Sequence, residues 1–349
     1  MKKKDNTGAS CPRADIGGQA VLDGVMMKSP DAIAIAVRRA NGDIVVKREN
    51  YEAPGKKHPL LGKPFIRGTV NMVQMLAIGM RVLEDSMKMS GNEEEVEPSK
   101  FEKWLAERLG KSVDKVIMGT AIVMAMAMSM GLFVLLPNLV ILLFPENATG
   151  GMLLMKNLVS GIIRISLLMG YIWLVGLIPD MRTTFQYHGS EHKTVYCHEH
   201  DLPLTPKNAQ QFTTLHPRCG TSFLLLTFFL SIIFYSIIDV LVLQLTGFDL
   251  GAHYMLRVGS RILLLPCVAG ISYEVLKALA HAENPLTRAL RWPGLQMQRL
   301  TTQPPTDEML QVAIISIKTA LNGLPEGEET PEGWVVLTKE QVDALTGCA

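Results

Sequence analysis

Four long apolar stretches constrain this chain more than any other feature. They cover residues 116–144, 158–178, 223–243 and 254–280. A hydrocarbon core of ~30 Å is crossed by about 20 helical residues. Backbone polar groups inside a bilayer must be satisfied within the chain, so these stretches read as transmembrane helices. The first is longer than a single crossing needs, and Pro137 predicts a tilt or kink in it. The second contains Arg164, the third Asp239, and the fourth Arg257, Arg261, Glu274 and Lys277. Charges at such depths raise the insertion cost and need partners. Hydrophobic residues make up 48% of the chain, and the mean hydropathy of +0.21 is high for a soluble protein.

Positive charge sets the expected orientation. Lys100, Lys103, Arg108, Lys111 and Lys115 precede the first stretch. Arg182, Lys193, Lys207 and Arg218 lie between the second and third, and Arg288, Arg291 and Arg299 follow the fourth. Segments 145–157 and 244–253 carry only Lys156. The positive-inside rule then places both termini and residues 179–222 in the cytoplasm. The five cysteines, Cys11, Cys197, Cys219, Cys267 and Cys348, are odd in number and scattered without a CxxC, so no disulfide framework is expected. That agrees with a reducing compartment. The start, MKKKDNTGAS, has no apolar run behind its lysines and is not a secretory signal peptide. A net charge of +1 gives no nucleic-acid footprint.

The fold class expected is a membrane α-helical protein of about four transmembrane helices with a small cytoplasmic α+β layer. Residues 1–15 read as a disordered tail. Residues 16–113 form a cytoplasmic α+β segment, 114–282 the transmembrane domain, and 283–349 a C-terminal cytoplasmic segment. Asn41-Gly42 between the apolar runs 32–37 and 43–47 predicts a β-hairpin. The glycine-bounded run 17–27 allows a tight turn beside it. Phe65, Val70, Val73, Leu76, Met80 and Leu83 recur at helical spacing over 63–90. Residues 99–113 read as a short charged helix. Leu310, Ala313, Ile314, Ile317 and Leu321 mark a helix over 306–322. Residues 333–337 read as a strand and 339–345 as a helix, packing on the N-terminal hairpin.

The chemistry gathers in a polar loop, 179–222. His188-Gly189-Ser190-Glu191-His192 reads H-x-x-E-H, which puts two imidazoles on one helix face with a Glu between them. Five of the eight histidines lie between positions 188 and 216. His216-Pro217-Arg218-Cys219 adds another candidate ligand pair. In one ligand set His188, His192 and a distal carboxylate, Glu274, hold zinc or another divalent transition metal, with Glu191 as general base. In the other, His188, His192, His216 and Cys219 close a tetrahedral shell. An open fourth position is catalytic and a closed shell structural. Cys219 has a third reading: beside Arg218 and at the start of an apolar helix, its thiolate is favoured as a nucleophile. His198 and His200 alternate at strand spacing and read as solvated. Lys193 and Arg218 are candidates to steady an anionic substrate.

The blocks at 187–193 and 215–223, with those at 17–27 and 266–274, resemble the signature blocks of the YqhQ-like bacterial membrane proteins. The resemblance spans about residues 15–320. That family is described as predicted metal-dependent enzymes of unknown function. The resemblance implies a metal role for His188, Glu191, His192, His216 and Cys219, a multi-pass place in the bacterial inner membrane, and no established substrate. Two functions are expected: a zinc-type hydrolase at the cytoplasmic membrane face, or a scaffold or regulator of a cell-envelope assembly partner with a structural metal. The intramembrane charges offer a third, transport, which with four spans requires a homo-oligomer.

Overall fold

A computed structural model describes residues 16–91, 99–110, 113–141, 151–248, 250, 253–281 and 284–347. The expected tail 1–15 lies outside the described residues. In chain order the elements begin with β1 (Gly17–Val21), β2 (Gly24–Lys28), β3 (Ala32–Arg38) and β4 (Ile44–Asn50). Then come α1 (Pro54–Lys57), a 3-10 turn at Pro59–Gly62, α2 (Ile66–Ser90), α3 (Lys100–Leu109) and α4 (Val113–Met130). A π-turn, Gly131–Leu135, leads into α5 (Leu136–Ile141) and is followed by α6 (Gly151–Val175), α7 (Pro179–Glu199) and α8 (Pro206–Gln210). The helices α9 (Gly220–Thr246), α10 (Tyr254–His281), α11 (Pro285–Thr301) and α12 (Asp307–Asn322) follow. The chain ends with β5 (Glu328–Glu329), β6 (Val335–Leu337) and α13 (Lys339–Thr346).

These elements divide into two units: Met1–Asn92 with Gly176–Cys219 and Gln298–Ala349, and Glu93–Val175 with Gly220–Met297. Contacts therefore cut the chain differently from its hydropathy. The segment 179–222, expected as a loop of the membrane domain, is mostly helical, and its residues up to Cys219 belong to the first unit.

The first unit is built on an antiparallel sheet in the order β1-β2-β3-β4-β6-β5. Asn41-Gly42 does mark a hairpin, with Arg38 opposite Ile44. Its loop is five residues long rather than two, with Gly42 at φ +92 and the Asn41 side chain accepting from the Asp43 N–H at 3.1 Å. The run 17–27 holds a tighter hairpin in which Val21 faces Gly24 across Leu22 and Asp23. β6 pairs with β4, Leu337 opposite Ile44, so the C-terminal segment does pack on the hairpin.

The strands read as nearly continuous apolar runs because both sheet faces are covered. Val25, Met27, Ala34, Ala36, Ile44 and Val46 form one face, packed with Tyr187 and Val195 of α7 and with Val312, Ile315 and Ile317 of α12. Met26, Ile33, Ile35, Val37 and Val45 form the other, packed on Ile78, Val82 and Met89 of α2. Fully burying side chains of this size stabilises by about 1.5–3 kcal/mol each. The alanines of β3 let α12 lie close, and Ser316 donates to the Ala34 carbonyl at 3.1 Å. α12 is accordingly buried around most of its girth, not on one stripe.

α2 differs from the sequence pattern in which side it buries. Phe65, Val73, Leu76, Met80 and Leu83 are exposed. The face on the sheet carries Ile78, Gly79, Val82, Ser86 and Met89. Small residues decide this: a Cβ on Gly79 would lie 2.9 Å from the Gln19 side chain.

Among the described residues of the second unit four helices are long and apolar enough to cross a membrane: Val116–Phe133, Met155–Val175, Gly220–Thr246 and Met255–Leu279. α6 and α9 approach closely at Gly161, where a Cβ would stand 2.2 Å from Ile232. Leu168, Leu225 and Met297 form a small core with Phe133 and Ile165. The expected irregularity near Pro137 takes the form of the π-turn, where the Leu136 N–H reaches back to the Gly131 carbonyl.

Candidate metal centre

The H-x-x-E-H stretch lies within α7, a helix of 21 residues with Pro179 in its first turn and Asp180 beside it. Both suit a helix start. His198 and His200 close this helix and its cap, so their alternation is not that of a strand. Gly189 is required where α7 meets the chain before α12: a Cβ there would lie 2.1 Å from the Gln303 carbonyl oxygen. The Gln303 N–H in turn donates to Phe185 O at 2.9 Å.

His188 and His192 stand one turn apart with ring centroids 4.5 Å from each other. Each Nδ1 meets a backbone carbonyl: His188 donates to Thr301 O at 2.8 Å, and His192 donates to Thr214 O. A carbonyl only accepts, so both protons sit on Nδ1 and both Nε2 lone pairs are available. His188 Nε2 lies 3.2 Å from Cys219 Sγ. His192 Nε2 is buried and makes no hydrogen bond of good geometry among the described residues. The ligand atoms of His188, His192 and Cys219 all lie within 4.8 Å of one another. Backbone carbonyls holding the far nitrogens are the usual orienting shell of metal-bound imidazoles. Burial lowers the His192 pKa, which keeps its ring neutral and able to ligate, with the Cys219 thiol opposing that shift.

Glu191 points between these histidines and β1. It is 5% exposed. One oxygen lies 3.4 Å from His192 Nε2, and the Gly18 N–H donates to the carboxylate. Burial raises its pKa, while His188, His216 and the Gly18 N–H lower it. Gly18 has to be glycine, because a Cβ would stand 2.6 Å from Glu191 Cγ. This close approach explains why the block at 17–27 belongs with the site.

His216 lies beside the cluster, its ring 5.6 Å from that of His192, with both nitrogens engaged. Its Nε2 is 3.4 Å from Glu199, and its Nδ1 accepts from the Arg218 N–H at 3.3 Å. The Gln298 amide clamps the His216 backbone from both sides at 2.7 Å. Burial lowers the His216 pKa and the Glu191 charge opposes that. Arg218 pairs with Glu199. Lys193 donates to the Gln210 and Phe212 carbonyls at 2.9 and 2.6 Å, bracing the turn before His216. Glu274 lies on α10, in the second unit. Sequence reading missed Thr301, Thr214, Gly18 and Gln298. Three of these act through backbone atoms, which carry no residue-type signal, and Gln298 is 82 positions from its partner.

A three-layered unit of a sheet between helices, with a His-His-Cys cluster, on a chain with four apolar helices among the described residues, defines the class to which this protein's relatives are compared. The chain belongs to the family described as "Protein of unknown function (DUF1385)", whose profile matches residues 63–323. It is similar to the "Uncharacterized protein YqhQ" of Bacillus subtilis (strain 168), at 32% identity over 333 residues, covering 92% of this chain and 97% of that protein. The YqhQ-like resemblance is thus borne out at the level of the family. No solved structure matches.

Proposed function

We propose that this protein is a multi-pass protein of the bacterial inner membrane whose first unit is a cytoplasmic, zinc-type hydrolase. The observation that carries the reading is the convergence of His188 Nε2, His192 Nε2 and Cys219 Sγ within 4.8 Å of one another, with His192 Nε2 buried and making no hydrogen bond of good geometry among the described residues. A buried lone pair without a donor is costly, and a cation removes that cost. Three protein ligands leave the fourth position open, as catalytic zinc sites do. A bound zinc would supply Lewis acidity and an activated water. The remaining roles fall to the chain itself. Glu191, its carboxyl raised by burial, takes up and returns a proton beside the ligands. Thr214 and Thr301 fix the imidazoles through their carbonyls. Arg218 and Glu199 hold His216 at the edge, and Arg218, being at the surface, is the cation best placed to meet an anionic substrate.

The four apolar helices and the Lys/Arg asymmetry support the membrane placement and orientation. A second reading is favoured by the pinning of Glu191 to Gly18: the metal staples α7 to the segment ending at Cys219, and the protein scaffolds or regulates a partner in envelope assembly, alone or as a homo-oligomer. Metal content of the purified protein and complementation of a deletion strain separate the two. The hydrolase requires Glu191→Gln to keep its metal and lose function. A variant that keeps both supports the staple.

A further inference from the structure

The second unit buries polar groups that the metal centre does not use. Asn157 lies in the second turn of α6, Asp239 two turns before the end of α9, and Arg257 and Arg261 in the first turns of α10. Asp239 Oδ2 accepts from Arg261 Nη2 at 2.5 Å and from Asn157 Nδ2 at 3.1 Å. Arg257 donates to Asn157 Oδ1 at 2.7 Å. The Arg261 guanidinium stacks 4.4 Å over the Tyr235 ring, whose hydroxyl donates to the Arg261 carbonyl at 3.0 Å. Arg164, two turns further along α6, donates to the Phe133 carbonyl at 3.2 Å and lies within electrostatic reach of Arg257 and Arg261.

Two buried atoms of this network have no hydrogen-bond partner among the described residues: the donor Arg261 Nη1 and the acceptor Asp239 Oδ1. Both belong to charged groups, for which an unmade hydrogen bond is most costly. Asp239 is 2% exposed and already serves Arg261. The guanidinium of Arg164 brings a further positive charge to the same helices, bonded to a neutral carbonyl. These arginines do not serve as cytoplasmic anchors, because Arg257 and Arg261 sit at the end that the Lys/Arg distribution assigns to the outer face and Arg164 lies near the middle of α6.

We propose that this cluster binds a phosphate ester carrying an adjacent hydroxyl or ammonium donor, the chemistry of a glycerophosphate headgroup. The anionic oxygens meet Arg261 Nη1 and Arg164, and the neighbouring donor meets Asp239 Oδ1. One ligand thereby satisfies an orphan donor, an orphan acceptor and, among the described residues, a guanidinium that no carboxylate meets. A single water satisfies only the first two. The inference rests on the four helices spanning a membrane, which recovery of the chain in the membrane fraction checks before any ligand is added.

The test uses the full chain in phosphatidylcholine nanodiscs, whose headgroup has the phosphate but no donor. Phosphatidylglycerol is mixed in for one arm, and sn-glycerol 3-phosphate is added to the solution for the other. Wild type should gain thermal stability in at least one arm, with the lipid arm assigning a bilayer source and the soluble arm a free one. Arg164→Gln should weaken apparent affinity about tenfold, the order of one charged contact. In phosphatidylcholine alone the same variant should melt no lower than wild type, since it removes repulsion. Arg261→Lys keeps the charge, loses the fork and should also weaken the response. No gain in either arm, or a gain undiminished in both variants, overturns the proposal.

Discussion

Gly18→Ala tests the joint between the sheet and the candidate centre. A Cβ built on Gly18 lies 2.6 Å from Glu191 Cγ, 2.7 Å from the Met26 carbonyl oxygen and 3.0 Å from Glu191 Oε1. Carbon contacts settle at about 3.5–4.0 Å, so the new methyl overlaps its surroundings by roughly 1 Å on two sides. Neither side yields easily. Met26 belongs to β2, hydrogen-bonded to β1 and β3. Glu191 sits on a helix packed against the sheet. Overpacking of this kind costs about 1–3 kcal/mol. Replacing glycine in a strand returns about 0.5–1 kcal/mol of backbone entropy, which leaves a net loss of about 0–2.5 kcal/mol. Gly17→Ala is the internal control, because no atom lies within 4 Å of its Cβ position. It should be neutral or slightly stabilising. Urea unfolding of both variants, followed by circular dichroism under one detergent condition, gives the comparison. Metal content should survive in Gly18→Ala, since Glu191 is not one of the three ligands. If Gly18→Ala unfolds at the same urea concentration as Gly17→Ala, β1 does not press on Glu191 and the placement of the carboxylate is wrong.

Zinc at a hundred times its Kd should stabilise wild type by about 2.7 kcal/mol and His192→Ala not at all, measured by thermal unfolding with and without metal; equal shifts would remove His192 from the ligand set. Gly189→Ala forces α7 off the Gln303 carbonyl and should lower both zinc affinity and Tm, whereas wild-type affinity would show that the helix can shift without moving the histidines. In metal-free protein Glu191 has its folded pKa above the unfolded value, so its contribution to stability is present at acid pH and declines as pH rises through the folded value. Glu191→Gln should therefore flatten the loss of Tm on the alkaline side of the ordinary carboxylate range, and an identical pH profile would contradict the burial argument. Lys207→Cys should resist an impermeant thiol reagent in intact cells and react after lysis; labelling from outside would reverse the orientation.

The parts of the fold that were legible in the sequence are those fixed by local physics. An Asn-Gly pair between apolar runs marks a hairpin whatever surrounds it, and an apolar run of span length forms a helix in any setting that excludes water. The reading failed where tertiary contact decides. The segment around His188 is polar enough to suggest a loop, yet α7 is buried through nine residues from Tyr187 to Cys197, including Glu191, His192 and Lys193. The Nδ1 atoms of His188 and His192 and the Lys193 ammonium meet carbonyls from other parts of the chain, and no local pattern announces that. α2 shows the same limit. Its large apolar residues trace a clean helical stripe, but Gly79 and Ser86 decide which side can approach the sheet.

The candidate site divides along the same line. Residue type and spacing pointed to His188, Glu191, His192 and Cys219, because side-chain chemistry is written in the sequence. Whether His216 completes the shell depends on what its nitrogens already touch. Glu199 and the Arg218 N–H occupy them, which turns a plausible fourth ligand into a neighbour. Lys193 shows the converse. An amine beside a histidine pair reads as an anion clamp until its donors are traced to Gln210 and Phe212. On the proposed reading, the open position follows from second contacts, not from ligand spacing. That makes Glu199→Gln an informative change. Weakening its hold on His216 lets the imidazole turn towards the other three donors, so a structural, four-ligand site would bind zinc more tightly in this variant. In a catalytic, three-ligand site the fourth position stays with water, so the variant would bind zinc no better and keep its function. Zinc affinity measured in parallel with complementation reads the two outcomes apart.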